Sequence, residues 1–228
     1  MYVCTSILIP ALSEVYLEPY NQRHWNLLKG AYNAGVKLIV NETIVAELVA
    51  HFRSFKERYV ECYQDNEDIY LGDELQSLYI SEIMIRAYFY AKMRGRVRTF
   101  DEFLDRFVSP SLAHAEEELT DWLKEEFGIR FISDSSLGVQ LEAGEEALLH
   151  ERLKQAKHSQ RVAQSDARLI LTIYALRKDR NESDASGMFG FQTWWLSKDV
   201  STQRGCGRLQ RQIQGQLLHP SRLSLQLY

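Results

Sequence analysis

Three carboxylates stand where a metal-dependent hydrolase would place them. Glu47 lies about a turn and a half into a helical stretch that follows an apolar strand. Asp166 lies in the first two turns of a later helical stretch, and Asp199 closes a strand containing two tryptophans. Ligands of open α/β sheets gather at the carboxyl ends of the strands. Carboxylates brought together there repel one another unless a divalent cation sits between them, and an all-oxygen set suits Mg²⁺ or Mn²⁺. Such a cation activates water and stabilises in-line displacement at phosphorus. Each acid also has a plain structural role to weigh. Asp166 would favour a helix N-terminus and Asp199 a turn, whereas Glu47 interrupts the apolar run Val45-Ala46-Leu48-Val49 and is poorly explained as surface. Other chemistries lack their motifs. No glycine-rich phosphate loop, G-x-S-x-G elbow or H-E-x-x-H pair occurs, and the six histidines are scattered.

The elements that must position these acids alternate. Tyr2 to Ile9 reads as a buried strand closed by Pro10, then a helix over about 21–34 stopped by Gly35, then a strand over Val36 to Val40. Asn41 suits the N-cap of a helix from Glu42 to about Tyr63, with Ile44, Val45, Leu48, Val49 and Phe52 at 3–4 spacing. This β-α-β-α order predicts an α/β fold, a central parallel sheet covered by helices. Residues 65–128 read as an all-helical insertion. It comprises a helix from about Glu74 to Met93, a second capped by Thr99 with Glu102 and running through Phe107, and a third from Ser109-Pro110 to Phe127. A strand over Ile129 to Ile132, helices over Glu142 to Lys157 and Arg161 to Lys178, a polar loop over Asn181 to Gly190 and a strand over Thr193 to Ser197 follow. Leu223, Leu225 and Leu227 alternate as a weak last strand.

Composition limits the classes. The 228 residues carry 45% hydrophobic and 25% charged side chains, an ordinary globular mixture that excludes a disordered or collagen-like chain. The most apolar helical stretch, Leu78 to Met93, contains Glu82, Arg86 and Lys92, so no membrane span is expected. Without a basic, signal-like start the expected location is the cytoplasm. Cys4, Cys62 and Cys206 form no C-x-x-C pair, which argues against a disulfide framework or a zinc knuckle. The net charge of −4 hides an asymmetry: residues 200–228 hold Arg204, Arg208, Arg211 and Arg222 and no acid. That basic segment and the cluster of Lys92, Arg94, Arg96 and Arg98 are candidate contacts for an RNA backbone; solvated surface is the plain alternative. The tail reads less like a packed terminus than the rest, as in a piece of a larger protein.

Four short blocks together resemble the PIN-domain nucleases. Tyr2-Val3-Cys4-Thr5-Ser6-Ile7-Leu8 resembles the family's opening hydrophobic-hydrophobic-Asp-Thr-Ser block, and Leu38 to Leu48 its second, with the acid at Glu47. Ser165-Asp166-Ala167-Arg168-Leu169 is similar to the third, and Trp194-Trp195-Leu196-Ser197-Lys198-Asp199 to the last. The resemblance spans residues 2–199, a PIN-like domain carrying the insertion, with 200–228 as a basic C-terminal segment. It implies a metal-dependent endoribonuclease in which Glu47, Asp166 and Asp199 hold Mg²⁺ or Mn²⁺, Thr5 or Ser6 orients water through its hydroxyl, and RNA is the substrate. The family's first acid is Cys4 here, and a soft thiol does not replace a carboxylate on Mg²⁺. The alternative expectation is therefore an inactive PIN-like module that binds RNA or a protein partner, an inhibitor included.

Overall fold

A computed structural model describes residues 1–72, 74–137, 143–155, 160–182 and 191–198. It is an α/β fold, mostly helical, with four short strands in one sheet of order β3-β2-β1-β4. These are β1 (Tyr2–Val3), β2 (Ile39–Val40), β3 (Arg130–Phe131) and β4 (Trp195–Leu196). β2 and β3 run parallel, Ile39 opposite Arg130 and Val40 opposite Phe131. The chain forms two compact units. One is Val3–Phe131; the other takes Met1–Tyr2 and the described residues from Ile132 onward. Among the described residues no helix is long and apolar enough to cross a membrane.

In the first unit the opening apolar run does not stay extended. β1 stops at Val3, and α1 covers Thr5–Ser13 with Pro10 inside it, which overturns the expected strand through Ile9. Ile7, Leu8, Ala11 and Leu12 are all buried, a spacing that a helix turns to one side and a strand would split between two faces. Pro10 brings no amide hydrogen to the helical ladder. Ser13 Oγ donates to the Pro10 carbonyl at 2.7 Å.

α2 (Arg23–Asn33) is followed by Gly35 at φ 81°, the conformation expected of a glycine stop. α3 covers Glu42–Cys62 and buries Ile44, Val45, Leu48, Val49 and Phe52. The Asn41 side chain caps it, accepting from the Ile44 amide at 3.1 Å.

The long helix expected from Glu74 to Met93 is broken. After α4 (Glu67–Gly72) come α5 (Glu74–Leu78) and α6 (Ile83–Met93). Glu82, extended at ψ 108°, makes the break. Its carboxylate accepts from Ser81 Oγ at 2.7 Å, Tyr63 Oη at 3.0 Å and Arg58 Nε at 3.2 Å. These ties draw it toward α3 and out of helical geometry. α7 (Phe100–Asp105) has the expected Thr99 cap: Thr99 Oγ1 accepts from the Glu102 amide at 3.1 Å. The Glu102 carboxylate reaches one residue further out than a capping box does, to the Arg98 amide at 2.7 Å. α8 covers Ala115–Phe127 and does not begin at Pro110. The Pro110 carbonyl, which a helix starting there would use internally, accepts from Arg53 Nε at 2.9 Å. Gly128 at φ 64° ends α8; its amide donates to the Lys124 carbonyl at 2.9 Å, and the Ile129 amide turns back to the Leu123 carbonyl at 3.3 Å.

In the second unit α9 (Ala143–Lys154) packs on α10 (Gln160–Asp179). Leu149, Leu153, Ala163, Ala167, Ile170 and Leu171 form the core, with Trp195 against it. The Tyr2 amide, on β1, donates to the Trp194 carbonyl at 2.7 Å. Most of the expected polar loop, 183–190, and the weak last strand over Leu223 to Leu227 lie outside the described residues.

Candidate functional site

The carboxyl end of β1 leads straight into α1, and Cys4 is the joint. It is the N-cap residue of α1, with extended backbone at ψ 156° and no side-chain capping bond. Cys4 is 8% exposed, and its Sγ lies 3.8 Å from Thr5 Oγ1. Thr5 is buried as well, so its hydroxyl faces the thiol, while Ser6 is half-buried. The strand order runs outward through β2 and β3 on one side of β1 and places β4 on the other. β1 is thus where the order reverses, the kind of strand whose carboxyl end collects ligands in doubly wound sheets.

Glu47 is the sixth residue of α3 and sits at the margin of its buried face, its side chain 19% exposed. One carboxylate oxygen lies 3.7 Å from His51 Nε2, one turn on. That is an ionic approach and too long for a hydrogen bond. His51 is 39% exposed, and its ring stacks on Phe55 a further turn along, centroids 6.0 Å apart and planes 23° apart.

Asp166 belongs to the second unit. It is the seventh residue of α10 and buried at 6% exposure. Macrodipole stabilisation fades beyond the first turn, so the helix N-terminus does not explain an acid there. Asp199 lies outside the described residues, as do Arg204, Arg208 and Arg211. Among the described residues no three His, Cys, Asp or Glu side chains stand close enough to hold a metal ion.

In the second unit the polar and aromatic groups around β4 hold one another. Glu182 accepts from the Gln192 and Thr193 amides, each at 2.8 Å, and from Thr193 Oγ1 at 2.8 Å. Burial pushes its pKa up, but these donors outweigh burial and leave it below the ordinary carboxylate range. Glu182 is thus committed to holding the segment that ends in β4. Arg177, buried, donates to the Thr193 carbonyl from Nε at 2.9 Å and Nη2 at 2.6 Å. Its guanidinium lies 4.2 Å from the Phe191 ring centre and 5.4 Å from that of Trp194. Trp194 Nε1 donates to the Phe191 carbonyl at 2.7 Å. Both tryptophans therefore have structural duties. The Glu182–Thr193 contact joins residues 11 apart, so no local pattern in the sequence marks it.

The basic cluster shrinks from four cations to three. Lys92 pairs with Glu67, and Tyr88 and Tyr59 also donate to that carboxylate, Tyr59 at 2.5 Å. Arg94, Arg96 and Arg98 are exposed around Gly95 at φ 66°, with the Arg94 guanidinium 3.6 Å over the Tyr90 ring. An acidic groove lined by Asp105, Glu118, Asp121, Glu125 and Trp122 shares no residue with the predicted site. Comparison with known proteins finds no matching family model, no matching curated protein and no matching solved structure.

Proposed function

We propose that the chain is a PIN-like, metal-dependent endoribonuclease whose first acidic ligand has been lost to Cys4. The observation that carries this reading is the end of β1: the strand at which the sheet order reverses delivers Cys4-Thr5-Ser6 into the N-terminus of α1. The donor chemistry suits a hard divalent ion that keeps much of its water, since such ions need only one or two carboxylates from the protein. Glu47, Asp166 and Asp199 would hold Mg²⁺ or Mn²⁺, and Cys4 would stand aside. The ion, when bound, would lower the pKa of water and offset charge on the phosphodiester.

The chain's own groups then divide the work. Glu47 keeps its carboxylate partly exposed, without a short hydrogen bond to His51. Thr5 or Ser6 would orient water through its hydroxyl; Thr5 Oγ1 lies 3.8 Å from the Cys4 thiol. Arg94, Arg96 and Arg98 would meet backbone phosphates. The buried, apolar setting of Cys4 favours a second reading, an inactive module retained for binding RNA or a protein partner.

A cleavage assay on single-stranded RNA separates the two. The nuclease reading expects Mn²⁺-stimulated cleavage that falls at least a hundredfold in Glu47→Gln and Asp166→Asn. Cleavage that ignores added Mn²⁺ and chelator, or that survives both substitutions, overturns it.

A further inference from the structure

We draw no further inference here: the strongest candidate, the groove lined by Asp105 at the end of α7 and by Glu118, Asp121, Trp122 and Glu125 of α8, is a cluster of acidic side chains beside which nothing in the structure points to a ligand.

Discussion

Cys4 occupies a place where two demands meet. As the N-cap of α1 it would be better as an aspartate, which caps a helix and so stabilises it by about 0.5–2 kcal/mol. As a buried side chain it is better as a thiol, because an uncompensated carboxylate there costs more than the about 1–3 kcal/mol of a buried neutral polar group. Cys4→Asp should therefore melt below the parent when metal is removed, and gain clearly more than the parent when Mn²⁺ is added. Equal Mn²⁺ shifts in the two proteins would show that residue 4 does not face the metal. A second residue-scale prediction concerns Glu67 and Tyr59. Burial pushes the Tyr59 phenol up to about 12, and donating to Glu67 adds to that. Burial raises the Glu67 carboxyl, but the bonds from Lys92, Tyr59 and Tyr88 outweigh it and leave it low. A raised phenol contributes stability that is complete below its ordinary value near 10 and lost as pH climbs to about 12. A lowered carboxyl contributes stability present above its ordinary value of about 4.3 and lost as pH falls through the folded value. Tyr59→Phe should flatten the alkaline loss in melts from pH 9 to 12; an unchanged alkaline limb would show that the phenol is not held by Glu67.

At the scale of elements, the local stop and start signals were legible and the long-range ones were not. Asn41, Gly35, Thr99 and Gly128 act where their chemistry is local: a cap oxygen or a positive φ needs only its own neighbours. The opening run misled because Ile7, Leu8 and Ile9 are β-branched or apolar and Pro10 looks like a terminator. Burial of Ala11 and Leu12 beyond the proline decided for a helix. The break at Glu82 and the late start of α8 depend on Tyr63, Arg58 and Arg53, partners 19 to 57 residues away that no local pattern reveals. Among the site residues, the burial of Glu47 at a helix margin was foreseeable from its apolar neighbours. The capture of Glu182 by Thr193 was not, because it requires the loop to fold back. Gly128 offers a test at this scale. A Cβ there would run into the Tyr32 ring, and φ 64° is strained for any residue with a side chain. Gly128→Ala should lower stability by about 1–2 kcal/mol while Tyr32, 51% exposed, swings aside. A variant as stable as the parent would mean that the turn relaxes.

For the whole molecule, the proposed metal site has a thermodynamic consequence. Glu47 belongs to the first unit, Asp166 to the second, and Asp199 follows β4 in sequence. A cation held as proposed by Glu47, Asp166 and Asp199 would bind only the folded chain and stabilise it by mass action. At a free concentration one hundred times the dissociation constant this amounts to about 2.7 kcal/mol, and a chain of this size gains about 2–4 °C per kcal/mol. The measurement is the melting temperature of protein first stripped with chelator, titrated with Mn²⁺ and, separately, Mg²⁺. The PIN-like metal site predicts a saturable rise of about 5–10 °C with Mn²⁺ that is lost in Glu47→Gln, Asp166→Asn and Asp199→Asn alike. A melting temperature that stays flat to millimolar Mn²⁺ in the parent, or a rise that all three variants retain, would contradict it.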